Sequence, residues 1–333
     1  MRNPRPIAIG STLLLSLSLP AFGSVVTTPT TDNDVLADAL NAAGHLEIDE
    51  VIIRNGQPGQ IGTYSSFVLP PVTIGSGIVL SSGCVANLGP IPEASEPWYD
   101  PASPPAQVNS QMTPWPESGS TSEFEEYGFV GGNIENFFGC YDVASIEVQF
   151  TLDEDAQVKF DFVFGSVEFP YWTSQFTDAF LVFLDGTDPE NQITYDAGGS
   201  AVQVGSSFGG LETTEDVNSA FSNPHALIHH LTTTTAELSK GQHVLIFEVG
   251  DVNDHILDSA VFISHLRSGV GDQGTEPTED CSADLNSDDV IDGADLGILL
   301  GNWNLNAEGD LNEDDVVDGA DLGQLLAAWG ACS

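Results

Sequence analysis

Between residues 146 and 152 apolar and polar side chains alternate, Ile146, Val148, Phe150 and Leu152 against Glu147, Gln149 and Thr151. A second run repeats the pattern, with Val158, Phe160, Phe162 and Phe164 set against Lys159 and Asp161. Successive side chains of an extended chain point to opposite sides, so a period of two predicts strands with one buried face. Residues 179–184 and 244–249 are apolar on both sides, which predicts strands in the middle of a sandwich. One short helix is predicted near the start, where Val35, Leu36, Ala39 and Leu40 follow the capping candidates Asp32 and Asp34. Clusters of Gly, Pro, Asn and Asp separate the runs, and the Pro-, Ser- and Glu-rich stretch 89–125 predicts a long surface excursion. Many short strands with such punctuation predict a mainly β fold, a jelly-roll-like β-sandwich over residues 24–268.

The period changes near the C-terminus. Leu296, Leu299, Leu300 and Trp303 form one i, i+3, i+4, i+7 stripe, and Leu322, Leu325, Leu326 and Trp329 form another. Each stripe predicts a helix with one apolar face. An acidic dodecapeptide precedes each helix, and the second copy starts 26 residues after the first, at Asp310 against Asp284. Oxygen side chains fall at loop positions 1, 3, 5, 9 and 12: Asp284, Asn286, Asp288, Asp292 and Asp295, then Asp310, Asn312, Asp314, Asp318 and Asp321. Val290 and Val316 stand at position 7, where a calcium loop uses only a backbone carbonyl. The expectation is a small all-α module over 281–333 of two loop–helix repeats holding two calcium ions. Crowded carboxylates repel without a cation, so folding there should be coupled to metal. Ile291 and Val317, both at position 8, should be buried where the two loops pair. Position 6 departs from the usual glycine, with Asp289 and Asp315, residues that tolerate the left-handed turn at modest cost. The competing reading, an acidic disordered tail, has no use for two matched Leu/Trp stripes.

Targeting and charge narrow the function further. Arg2 and Arg5 precede a short apolar run and small residues at Ala21 and Gly23, the pattern of a cleaved signal peptide over 1–23. The protein is expected to be secreted, extracellular or at the cell surface, with no membrane insertion. Removing that segment leaves four basic residues against 50 acidic ones, a formal charge of −46. Such a chain repels nucleic acid and anionic membrane. Four cysteines in an exported chain predict disulfides, with three connectivities open; Cys84–Cys140 and Cys281–Cys332 are preferred. The second pair brackets the C-terminal module beyond a linker at 269–280, and closing a loop of that length stabilises by about 4 kcal/mol on the chain-entropy view. Zinc is the other use for cysteine, but no CxxC pair is present.

Within the main domain, Glu168, Asp178, Asp251, Asp254 and Asp258 are acids set in otherwise apolar segments. Two readings stay open: they cap turns through backbone N–H groups, or their segments converge on a second metal site of hard oxygen ligands. Paired carboxylates also serve glycoside hydrolysis, yet among 50 acids any pair is weak evidence. His225, His229 and His230 lack the glutamate of a zinc-protease helix and read as loop or surface histidines. No phosphate-binding glycine loop and no nucleophile elbow occurs, so no catalytic residue is expected.

The two loop–helix repeats resemble type I dockerins, and the ending Trp329, Gly330, Ala331, Cys332 is similar to the GC-type subgroup. That resemblance implies a cohesin-like domain or extracellular scaffold as partner. It also implies that positions 10 and 11, Gly293 with Ala294 and Gly319 with Ala320, help select the partner, in two equivalent orientations. Further phrases resemble the choice-of-anchor L domain: Gln60 to Thr63, Gly77 to Gly83, Phe162 to Pro170, Ser174 to Phe180, Val249 to Asp254 and Leu257 to Phe262. This second resemblance implies a surface or matrix role and no catalytic residues. The expectation is therefore a secreted, non-catalytic protein whose calcium-dependent module docks a β-sandwich to a partner. The alternative is a carbohydrate-active enzyme or lectin delivered to polysaccharide.

Overall fold

The computed structural model describes residues 25–331, apart from 41, 70–71, 90–118, 131–135, 170–175, 196–198, 207–218, 220, 222–226, 256–257, 272, 278–282, 287–289, 306–308, 312–315 and 328. The expected signal peptide and most of the 89–125 excursion lie outside these residues.

Two antiparallel sheets face each other. The larger one contains β1 (Val26–Pro29), β3 (Ile61–Leu69), β4 (Val72–Ser81), β11 (Ser259–Ser268), β6 (Val158–Ser166), β9 (Leu227–Thr234) and β12 (Gly274–Pro277), in that spatial order. The smaller one contains β2 (Leu46–Asn55), β5 (Cys140–Leu152), β10 (Gly241–Val252), β7 (Ala179–Leu184) and β8 (Val202–Gln203). The fold is mainly β and sandwich-like, as the alternation predicts.

The interior between the sheets is built from the inward faces. Phe150, Phe160, Phe162, Phe164, Phe180 and Phe247 are all fully buried there, with Ile78, Leu80, Val148 and Ile263 among them. Phe160 meets Phe247 edge-on at 5.1 Å, and Phe162 lies 4.8 Å from Phe180, so rings from opposite sheets interlock. Full burial of each phenylalanine contributes about 1.5–3 kcal/mol. Helix α1 (Asn33–Leu40) adds Leu36 and Leu40 to this core, and Asp32 caps it by accepting from the Asp34 and Val35 N–H groups.

Strand β5 keeps the expected alternation, with Ile146, Val148, Phe150 and Leu152 buried and their neighbours half-buried. Strand β6 does not. Every residue from Val158 to Ser166 is buried, including Lys159 and Asp161. Its outward side lies under a second apolar layer in which Val163 joins Phe67, Val79, Phe221, Ile228 and Phe262. Gly165 makes room for that layer: a Cβ there would come within 2.6 Å of the Phe221 ring.

The C-terminal module has its own small core. Helices α3 (Gly293–Gly301) and α4 (Gly319–Ala327) pack Leu299 and Leu325 together with Ala283, Ile291 and Val317. Ile291 and Val317 are buried as expected, but not through loop-to-loop pairing. Strand β13 (Val290–Ile291) pairs with β14 (Gly330–Ala331), the segment beyond α4. In the other repeat, the Asn304 N–H donates to the Val317 carbonyl at 2.8 Å, and the Val317 N–H donates to the Leu305 carbonyl at 3.0 Å. Each loop thus pairs with the chain leaving the other repeat's helix. The two arrangements repeat the 26-residue sequence offset, the backbone signature of a near two-fold module.

Candidate functional site

One end of the sandwich collects acids from both sheets. Ser166 at the end of β6 pairs with Ser259 at the start of β11, and Gly250 near the end of β10 pairs with Ala179 at the start of β7. Those registers place Glu168, just past β6, and Asp258, just before β11, beside Asp178 and Asp251. All four are buried, at 0–2 % exposure. Asp254 is only partly buried and stands close enough to raise the pKa of Glu168, Asp178 and Asp258.

Serines, a glutamine and a bulge hold this end in shape. The Ser259 hydroxyl donates to Asp178 Oδ2 at 2.6 Å, and the Val252 N–H donates to Asp178 Oδ1 at 3.3 Å. Ser82 accepts from the Ser259 N–H at 2.9 Å. Gln60 Nε2 donates to the carbonyls of Ser82 and Asp142, at 3.0 and 2.6 Å, bridging the two sheets. The β5–β10 register shifts between Val249 and Asp251, and Asp142 in β5 takes a left-handed φ of 49°. A bulge of this kind re-aims the side chains beside it. Sequence reading assigned Asp142, Gln60, Ser82 and Ser259 no role. Three of them sit inside the quoted choice-of-anchor phrases; nothing in the pattern around Asp142 marks it.

The electrostatics of this end are one-sided. Burial pushes the Glu168 carboxyl up to about 11, and the charges of Asp178, Asp254 and Asp258 add to the rise. Asp178, Asp251 and Asp258 are also raised well above the carboxylate range, burial first and neighbouring acids next. Both oxygens of Glu168 and one of Asp258 have no hydrogen-bond partner, and Asp251 has only loose contacts, to Ser82 and Asp178. An unsatisfied buried polar group costs about 1–3 kcal/mol, and more when charged. Of the two readings left open by the sequence, turn-capping describes Asp178 and leaves Glu168 and Asp251 unexplained.

In the C-terminal module the position-12 carboxylates are fully buried and organise their loops. Asp295 Oδ1 accepts from the Leu285 and Asn286 N–H groups at 2.8 and 3.1 Å, and Oδ2 from the Asp292 N–H at 2.8 Å. Asp321 does the same toward Leu311 and Asp318, at 2.7 Å each. Position 9 caps the helix in both repeats, Asp292 accepting from Ala294 and Asp318 from Ala320, both at 2.7 Å. Asp284, Asn286, Asp310 and Val316 are described at the loops. Asp288, Asn312 and Asp314 lie outside the described residues, as do the aspartates at position 6, and nothing is described of the Val290 side chain. The oxygen donors described in each loop, with a buried carboxylate at position 12, would suit a hard cation such as calcium.

Gly293, Ala294, Gly319 and Ala320, the positions expected to select a partner, are exposed. Leu300 and Leu326, expected on the buried stripes, are instead half exposed at 50 % and 52 %. The one small core is filled by Leu299 and Leu325, with Leu296 and Leu322 at its margin, which leaves these leucines outside it.

The disulfide expected between Cys84 and Cys140 is not formed; both thiols are free. Cys84 heads the turn Val85–Asn87 beyond β4 in the larger sheet. The Cys140 thiol donates to the Phe124 carbonyl at 3.5 Å on the outer face of the smaller sheet, beneath α2 (Ser122–Tyr127). The second pairing, Cys281–Cys332, lies outside the described residues, and so does His225. His229 and His230 are not loop residues but sit in β9, with His229 buried. Among the described residues, His45, Asp153 and Glu154 bring their ligand atoms within 4.8 Å of one another, but all three are exposed. Both His45 ring nitrogens already face those carboxylates, at 2.8 and 3.2 Å.

A family model described as the choice-of-anchor L domain matches residues 24–266. Its span covers both large sheets except the last strand, and stops short of the C-terminal module. No curated protein and no solved structure matches the chain.

Proposed function

As the chain belongs to the choice-of-anchor L family, we propose that it is a surface or matrix protein whose C-terminal module binds two calcium ions and docks the sandwich to an extracellular, cohesin-like partner. The family suggests a surface-associated, non-catalytic protein. Among the described residues no helix is long and apolar enough to cross a membrane. In the C-terminal module, Asp284, Asn286, Asp292 and Asp295 would hold one ion and Asp310, Asp318 and Asp321 the other. The bound ions would offset the charge of two crowded anionic loops and let α3 and α4 pack.

The observation that carries the docking role is a repeated exposed face. Gly293, Ala294, Gly297 and Leu300 on α3 match Gly319, Ala320, Gly323 and Leu326 on α4, and all eight are exposed. A Cβ at Gly293, Gly297, Gly319 or Gly323 would meet nothing within 4 Å, so internal packing does not require glycine there. Gly inside a helix costs about 1 kcal/mol relative to Ala. Retaining that cost in both repeats suits a partner whose surface comes close to the helix backbone, with Leu300 or Leu326 as the apolar anchor. Replacing Ala294 and Ala320 together by aspartate should abolish binding to a cohesin-like scaffold in a calcium-containing pull-down while calcium uptake persists. Unchanged affinity would place the docking face elsewhere.

A further inference from the structure

Beyond residue 23 the chain has four basic residues, and none serves the acidic end of the sandwich. Arg54 pairs with Glu123, Glu147 and Glu248, and Arg267 pairs with Asp161. Lys159 lies at the opposite end of β6 from Ser166, and Lys240 precedes the opposite end of β10 from Val252. Among the described residues, no basic group is a leading influence on Glu168, Asp178, Asp251 or Asp258. Protons alone do not repair the site, because a protonated Glu168 would still bury an O–H without an acceptor and a carbonyl without a donor. One ion satisfies several such oxygens at once.

We infer that this end of the sandwich holds a calcium-type divalent cation, ligated by Glu168, Asp251 and Asp258 with Asp178 alongside and Asp254 at the rim. The donors are all carboxylate oxygens, with no histidine or cysteine among them, which selects a hard cation. Calcium is favoured over magnesium, since magnesium demands near-octahedral geometry and keeps several of its waters, whereas calcium accepts many carboxylates in irregular shells. The buried carboxylates stand more loosely than the exposed His45 trio, so the ion draws them inward. Glu168 and Asp258 flank β6 and β11 of one sheet, while Asp178 immediately precedes β7 and Asp251 lies in β10 of the other. The ion is therefore a staple between the two sheets. It is independent of the two ions proposed for the C-terminal loops.

Equilibrium dialysis of the full chain against calcium tests this directly, with the loop variant Asp284→Ala/Asp310→Ala beside the wild type. The loop variant should retain about one ion per chain, and adding Glu168→Gln/Asp251→Asn should remove it. A loop variant that folds as a β protein by circular dichroism yet binds no calcium overturns the inference. Melting the sandwich supplies a second readout. In chelator the Glu168→Gln/Asp251→Asn pair should be as stable as wild type or more so, because it relieves buried repulsion; in calcium it should be less stable. A pair destabilised equally in both conditions shows a merely structural role and sinks the staple. If the loop variant binds as many ions as wild type, the C-terminal reading fails and this one stands.

Discussion

The hydroxyl of Ser259, the first residue of β11, donates to the carboxylate of Asp178 at 2.6 Å, across the seam between the two sheets. Both residues are fully buried. The bond gives Asp178 a partner that Glu168 lacks.

Ser259→Ala leaves a buried carboxyl oxygen without its short hydrogen bond, which costs about 1–3 kcal/mol. Urea unfolding in calcium-free buffer at neutral pH should show a lower midpoint with an unchanged slope.

Among the described residues, Arg54 is the cation facing an acidic trio of which Glu123 and Glu248 are buried and Glu147 half-buried. It contacts Glu123, Glu147 and Glu248, and Glu248, itself at 0 % exposure, also accepts from Ser145 at 2.8 Å and Thr121 at 3.0 Å. Breaking a buried pair by removing one partner typically costs about 3–5 kcal/mol. Arg54→Met should lower the thermal midpoint strongly, and the double variant Arg54→Met/Glu248→Gln should recover part of the loss. No recovery would mean that the arginine stem, not its charge, matters.

Asp161 determines the expected acid response of the larger sheet. Burial alone would raise its carboxyl, but the hydrogen bond from His265 and the charge of Arg267 outweigh it and hold the group well below the usual range. The folded pKa lies below the unfolded one, so the stabilisation is fully present above the unfolded carboxylate range near 4 and is lost as pH falls through the folded value. Unfolding measured from pH 7 down to 2 should show Asp161→Asn less stable than wild type at neutral pH, with the gap closing at the acid end. A constant gap would contradict the ion pair.

Gly297→Ala and Gly323→Ala separate stability from docking. Each position is exposed and open, so alanine should stabilise its helix by about 1 kcal/mol. Thermal melts in calcium should rise while affinity for a cohesin-like partner falls. A rise in both would argue against a close helix-backbone contact.

Local patterns in this chain depend on periods of two and 3.6 residues, and these survive in a linear text. The alternation at 146–152 predicts β5, the Leu36/Leu40 spacing predicts α1, and the repeated loops predict two helices offset by 26 residues, because each signal lies within one element. The outward burial of β6 was not legible, since Lys159 and Asp161 look solvent-facing until β9 and β11 are laid on either side, with Thr232, His265 and Arg267 around Asp161. The free state of Cys84 and Cys140 was equally hidden, because it follows from which side of which sheet each thiol faces. The acids at 168, 178, 251 and 258 were visible singly. Strand pairing of β6 with β11 and of β7 with β10 brings them to one end of the sandwich, where burial and missing counter-charges act on all of them together. Contact across more than seventy residues of chain is set by sheet register, and no local period encodes it.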